Sequence, residues 1–337
     1  MRPRWRRIAA VLSTFAVAVG ATACTSSSDS DELLIYNAQH ESLTKEWIEA
    51  FTEETGIKVS YRQGGDTELG NQLVAEGDAS PADVFLTENS PAMAAVERAG
   101  LFTELDAETL DQVPAQFRPD TGRWTGVAAR STVFVYNKDR LTPDQLPKSM
   151  LDLQQPEWKG RWGAPPTKAD FQAIVAALLE LEGEAATAQW LDAMKANAVP
   201  YNNIDTLKAV NAGEVDGGII YHYYWYRDQS KTKEISGNTA LHYFKNQDPG
   251  AFVSLSGGGV LASSDKQDQA QQFIRFITSR AGQEVLEKGT SFEYPVASGV
   301  PANPALPPLD SLQAPDVDPS TLNEQKVTEL MTKAGLL

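Results

Sequence analysis

The chain has 337 residues, 42% of them hydrophobic and 22% charged, with a formal net charge of -16 and a single cysteine. That length and balance fit a soluble protein of about two domains. The acid excess argues against nucleic acid and anionic lipid surfaces as partners, and one cysteine leaves no internal disulfide and no zinc–thiolate site.

The chain opens with Arg2, Arg4, Arg6 and Arg7, then an apolar run at 8–20, then Ala21, Thr22 and Ala23 before Cys24. This is the pattern of a secretory signal peptide over 1–23, and the apolar run is too short to span a bilayer comfortably. Small residues directly before a cysteine resemble a bacterial lipobox, although Ala21 stands where leucine is commoner. Cys24 is therefore expected to carry lipid and to hold the protein on the outer side of the cell membrane. The alternative is a plain secreted protein with an unmodified Cys24. Residues 24–32 read as a tether. Loss of a leader with four arginines and no acid takes the net charge from -16 to -20.

From there short apolar strands alternate with amphipathic helices, the pattern of an α/β protein. Residues 33–37 read as the first strand. A helix follows over 41–55, with Leu43, Trp47, Ala50 and Phe51 on one face and Gly56 as its stop. A second strand at 57–61, a helix at 66–75, a third strand at 83–87 and a helix at 91–99 complete a βαβαβ unit near residue 100. A long extended run spans 125–136. A short strand is expected at 160–163 and helices at 171–181, 185–196 and 207–212. Residues 216–221 form a strand leading into aromatic residues. A second extended region covers 246–259. Helices are expected at 266–280 and 321–334.

The two long extended runs predict strands that pass between two lobes. The expected architecture is a two-lobe, periplasmic-binding-protein-like α/β fold with an interlobe cleft and two crossover strands. Residues 33–129 with about 255–304 would form the N-terminal lobe, and 130–254 with about 305–337 the C-terminal lobe. Such lobes close on a ligand by hinge motion.

The aromatic run at 219–226 contains Tyr223 and Tyr224. Neighbours on a strand face opposite sides, so the two converge on one ligand only where the backbone turns from strand to helix. That turn lies at the carboxyl end of a strand, where open α/β sheets bind ligands. A bare tyrosine pair is otherwise a core cluster or a stacking platform for a sugar. His40, after the first strand, and Glu88, after the third, stand in equivalent places. Each alone has an ordinary reading, as a structural histidine and as a charge at a helix start.

Together the four suit a hard trivalent cation. Two phenolates and one carboxylate supply three negative charges, and a neutral His40 adds nitrogen. Tyrosine ionises near pH ~10, so phenolate at neutral pH requires a strong Lewis acid. Zinc favours Cys and His, and calcium favours more carboxylates and carbonyls, which leaves Fe(III).

At these residues the sequence resembles the bacterial ferric-ion-binding proteins. The resemblance runs through residues 36–40, 51–59, 81–88, 135–137, 158–160, 223–226 and 247–254, essentially the whole mature chain. It implies iron in an interlobe cleft, with His40 and Glu88 from the first lobe and Tyr223 and Tyr224 from the second. It also implies an exogenous anion and water in the remaining positions. In several members that anion is phosphate, held by a Ser-Gly-Ala turn at a helix start. Here Thr167, Lys168, Ala169 and Asp170 stand there. Lys168 would attract an anion, whereas Asp170 would repel one or cap the following helix. The family's asparagine before the tyrosines is replaced by Tyr221 and His222, while Asn203 matches an anion-contacting asparagine.

Arg130 is the candidate bidentate partner for the anion, with a surface or interlobe ion pair as its other reading. His222 is either a spare ligand or a supporting residue, and His242 an ordinary strand residue. The resulting expectation is a monomeric, non-catalytic receptor. It takes Fe(III) with a synergistic anion and delivers it to an ABC transporter permease. A receptor for a polyamine or sugar is the alternative. A secreted metalloenzyme has no support from His-Glu-x-x-His, nucleophile-elbow or Walker patterns.

Overall fold

The computed structural model describes residues 32–337, which form one compact unit. The signal peptide, Cys24 and nearly all of the tether lie outside the described residues. Among the described residues no helix is long and apolar enough to cross a membrane.

The first βαβαβ unit forms as the alternation predicts. It comprises β1 (Leu33–Asn37), α1 (Glu41–Thr55), β2 (Val59–Gln63), α2 (Asp66–Glu76), β3 (Val84–Leu86) and α3 (Ser90–Arg98). β1 pairs in parallel with both β2 and β3. α1 buries Leu43, Thr44, Trp47 and Phe51 and ends at Gly56, whose φ of 74° favours glycine. A four-residue helix, α4 (Ala107–Leu110), leads to the long strand β4 (Trp124–Asn137).

A second set of parallel strands and helices follows. It runs β5 (Trp162–Ala164), α5 (Ala169–Asn197), β6 (Ala198–Pro200), α6 (Asn203–Ala212), β7 (Gly217–Tyr221) and α7 (His222–Gln229). α5 is broken at Gly183 (φ 78°), where two helices are expected to meet. β5 pairs in parallel with β6 and β7. The chain continues through β8 (Thr239–His242) and β9 (Val253–Val260). It closes with α8 (Gln267–Thr278), α9 (Arg280–Lys288) and α10 (Glu324–Lys333).

The nine strands among the described residues join in the order β2-β1-β3-β9-β4-β7-β5-β6, with β8 beside β4. β4 pairs antiparallel with β9 along Trp124–Ser131, then with β7 from Thr132 to Tyr136. β9 reaches β3 through Gly258, Gly259 and Val260. β4 and β9 are thus the two expected crossover strands that join the parallel sets. Gly257 admits a close neighbour: a Cβ there would lie 2.3 Å from Met93 Cγ.

Several boundaries depart from expectation. β9 begins at Val253 because Asn246 and Gln247 take φ of 60° and 59°. A 3-10 turn at Pro249–Ala251, capped by the Asp248 side chain, follows them. The helix expected to run to 280 ends at Thr278. Ser279 takes an extended conformation and caps the unanticipated α9 through Gly282 N–H. β6 has three residues, too few to show a period.

Candidate metal centre

Each parallel strand delivers one or two polar groups at its carboxyl end. His40 is the N-cap of α1 after β1, and Asp66 is the first residue of α2 after β2. Glu88 and Asn89 follow β3, with Asn89 at the N-cap position of α3. Asp170 lies in the first turn of α5 after β5, and Asn203 opens α6 after β6. Tyr223 and Tyr224 lie in the first turn of α7, directly after β7. The turn from strand to helix puts the two phenol rings side by side, their centroids 4.2 Å apart.

The four expected ligands do meet. His40 Nε2 lies 3.2 Å from Glu88 Oε1. The His40 and Tyr223 rings meet edge to face, 5.0 Å between centroids and 83° between planes. Asp170 gathers the phenols: its Oδ2 accepts from Tyr224 OH at 2.9 Å, Tyr223 OH at 3.2 Å and Asn203 Nδ2 at 2.9 Å. Asn203 Nδ2 also donates to Tyr224 OH at 2.6 Å. Asn89 joins the two sides. Its amide donates to Asp66 Oδ2 and Asp170 Oδ1, both at 3.0 Å. It accepts from Tyr221 OH at 3.2 Å and Ser254 Oγ at 3.0 Å. Asp66 Oδ1 in turn accepts from Glu88 N–H at 2.8 Å.

Burial and like charge set the protonation of this cluster. Burial, reinforced by the Asp170 carboxylate, holds Tyr223 and Tyr224 well above the ordinary phenol value. Burial, with Asp170 again adding repulsion, also holds Glu88 well above the carboxylate range. Asp66 is pushed up to about 7 by burial, against the pull of its Asn89 and Glu88 hydrogen bonds. Burial depresses His40, partly offset by Glu293. Without a cation Tyr223, Tyr224 and Glu88 hold their protons more tightly than free groups of their kind; with one, the same repulsion favours binding.

Other expected residues fall elsewhere. Arg130 is fully buried in β4, where its Nη2 meets Glu293 Oε2 at 2.6 Å and Gln39 Oε1 at 3.1 Å. Its Nε and Nη1 lack partners among the described residues. The ion-pair reading of Arg130 is therefore realised, and two donors are left over. Thr167 and Lys168 are exposed in the turn before α5, and among the described residues neither side chain hydrogen-bonds the cluster. Asp170 is no helix cap: Lys168 holds that position, and Asp170 turns inward to the phenols. His222 is buried, accepts from Ser131 N–H through Nδ1 at 3.1 Å, and is depressed by burial to about 4. It supports β4. His242 ends β8 as a strand residue.

Sequence reasoning missed Glu293, Asn89 and Asp66. Asp66 and Asn89 carried a signal, since each opens or caps a helix after a parallel strand. Glu293 lies outside any regular element. Among the described residues no group of three or more His, Cys, Asp or Glu side chains is placed to hold a metal ion. Any such role here depends on phenol oxygen.

Residues 79–321 match the family model described as bacterial extracellular solute-binding protein. The chain belongs to that family. This solute-binding protein is 61% identical over 331 residues to the Fe(3+)-binding periplasmic protein of Serratia marcescens, covering 98% of this chain and 97% of that one. It is 36% identical to the major ferric iron-binding protein of Neisseria meningitidis, covering 90% and 93%. The crystal structure of iron-bound HitA from Pseudomonas aeruginosa matches with a TM-score of 0.85 and 41% identity, over 90% of this chain and 99% of that one. Trichodesmium IdiA (FutA), solved with iron and citrate ligands, matches at 0.79 and 27%, over 91% and 100%. The fold is the two-lobe α/β arrangement of these proteins, and the family is one of binding proteins rather than enzymes.

Proposed function

We propose that this protein captures Fe(III) outside the cytoplasm and passes it to the permease of an ABC importer. The observation that carries the reading is the convergence of Tyr223 and Tyr224 with His40 and Glu88. Tyr223 and Tyr224 provide two phenolates, Glu88 a carboxylate and His40 the Nε2 lone pair. Asp170, touching both phenols, adds a carboxylate where relatives of the resembled family place an anion-binding turn. A small anion or water completes the shell, with the unpartnered Nε and Nη1 of Arg130, whose guanidinium lies over the Tyr223 ring, as buried donors. Close relatives named for ferric iron support the cargo.

Residues 33–129 with about 255–304 form one lobe, and 130–254 with about 305–337 the other. The change of β4 from β9 to β7 between Ser131 and Thr132 supports the first boundary. The protein acts as a monomer. It is held at the membrane by acylated Cys24 after cleavage of 1–23, a reading the leader pattern supports.

The test is addition of ferric citrate to iron-free protein, followed by visible absorption. A tyrosinate-to-iron charge-transfer band is expected, and it should vanish in the Tyr223→Phe/Tyr224→Phe double variant. An unchanged band in that variant rejects the site. Calorimetric binding of a polyamine or sugar, with no band in the wild type, rejects the cargo.

A further inference from the structure

We propose that Glu293 is a positioning residue that fixes the tautomer and orientation of His40, so that Nε2 is the nitrogen offered to the cation. The inference rests on the ferric-capture reading for its functional meaning, but its geometry stands in the iron-free protein.

Glu293 is delivered by a clamped, strained segment. Phe292 before it has φ of 55°, a conformation that is strained for a bulky L-residue and persists only where its surroundings enforce it. The Phe292 ring is held against Tyr226, stacked at 5.8 Å and 25°. Tyr294 after it is locked to β4 by two hydrogen bonds with Ala129, both 2.9 Å. Between these anchors the Glu293 side chain points inward and is fully buried.

Its two oxygens divide the work. Oε2 meets Arg130 Nη2 at 2.6 Å, and Oε1 meets His40 Nδ1 at 3.1 Å. Arg227 Nη2 stands 3.9 Å from Oε1. The buried guanidinium of Arg130 against Oε2 keeps Glu293 in its carboxylate form, so Oε1 faces His40 as an acceptor. The other neighbour of His40 Nδ1 is Gln39 Oε1 at 3.0 Å, also an acceptor. With acceptors alone around it, Nδ1 must carry the proton. Nε2 then presents its lone pair toward Glu88 Oε1, 3.2 Å away, on the phenol side. Gln39 does not set this by itself. Its Oε1 is already shared with His40 N–H at 2.6 Å and Arg130 at 3.1 Å. The arrangement is the carboxylate–histidine pair that orients metal-binding imidazoles generally.

Three histidines in the chain make the test direct. Imidazole-nitrogen NMR of iron-free protein with labelled histidine, assigned by His40→Asn, should show His40 as the Nδ1–H tautomer. In Glu293→Leu the signal should move to a tautomer mixture, and iron should pass to a competing chelator about 10–100-fold faster. The position of the tyrosinate band should stay, because both phenols still bind. Glu293→Asp, which keeps the charge, should recover part of both effects. Where Glu293→Leu fails to fold because Arg130 is left unpaired, Arg130→Met/Glu293→Leu removes both charges and serves as the parent for the same readings. A persistent Nδ1–H signal in the Leu variants overturns the proposal, whether or not iron retention falls, since a fall alone would mark a merely structural role. Absence of any tyrosinate band in the wild type would reject the ferric reading and leave the tautomer result standing.

Discussion

Asn89 tests whether the two sides of the cluster are held by one side chain. All four hydrogen-bonding positions of its amide are used: two donations, to Asp66 and Asp170, and two acceptances, from Tyr221 and Ser254. The residue is 2% exposed, so water cannot readily replace these bonds. Asn89→Leu keeps the branched shape and removes all four. Hydrogen bonds to charged groups contribute about 1.5–3 kcal/mol each and neutral ones about 0.5–1.5 kcal/mol. The lower ends of these ranges together give a loss of about 4 kcal/mol. Urea denaturation of the iron-free proteins measures it as a shift in midpoint at unchanged slope. Because Asp66 holds the Glu88 backbone and Asp170 holds the phenols, the variant should also release iron faster. A loss below about 1 kcal/mol with unaltered release would refute the idea that Asn89 links the two sides.

Three further outcomes follow from the same geometry. Arg130→Met leaves Glu293 buried without its main counter-charge and should cost about 3–5 kcal/mol in thermal or chemical unfolding, partly recovered by adding Glu293→Gln. Asp66 sits at about 7 in the folded protein against an ordinary 3.8, so the folded state binds this proton more tightly. Its contribution to stability is complete below pH ~4 and lost as pH rises through about 7. Iron-free wild type should therefore lose up to about 4 kcal/mol relative to Asp66→Asn between those limits, and parallel pH profiles would contradict it. Asp170→Asn removes the charge that, after burial, does most to raise Tyr223 and Tyr224. Ultraviolet titration of the iron-free variant should show those phenols ionising at lower pH than in the wild type.

The parts legible in the sequence are those with a local cause. β1 and α1 fall where alternation and the Leu43–Trp47–Phe51 stripe put them, because one strand face and one helix stripe fill a core. The strand-to-helix turn at Tyr221 and His222 was likewise readable, and with it the convergence of the two tyrosines. Asp170 was visible but open to two readings. Nothing local separates a first-turn acid that caps its helix from one that turns inward. The difference is made by Tyr223 and Tyr224, more than fifty residues on in the chain. Glu293 had no local cause at all. Its direction is set by a left-handed Phe292 and a two-bond bridge to β4, neither of which has a period or a motif.

The protonation pattern also decides what capture must do in solution. Tyr223, Tyr224 and Glu88 all hold protons more tightly than ordinary groups of their kind, with burial the first cause in each. His40 is held neutral, so it brings no proton to lose from Nε2. Seating Fe(III) on these atoms, as proposed, would expel the phenol protons, and the Glu88 proton wherever it is still bound. Binding at neutral pH should release about two to three protons per iron. Affinity should fall by about two to three decades for each unit that pH drops, so acidification favours release. Chelator competition at several pH values measures the slope, and calorimetry in buffers of different ionisation enthalpy counts the protons independently. A slope of one or less would mean that at most one phenol ionises. The pairing of Tyr223 with Tyr224 would then be a feature of packing rather than of iron capture.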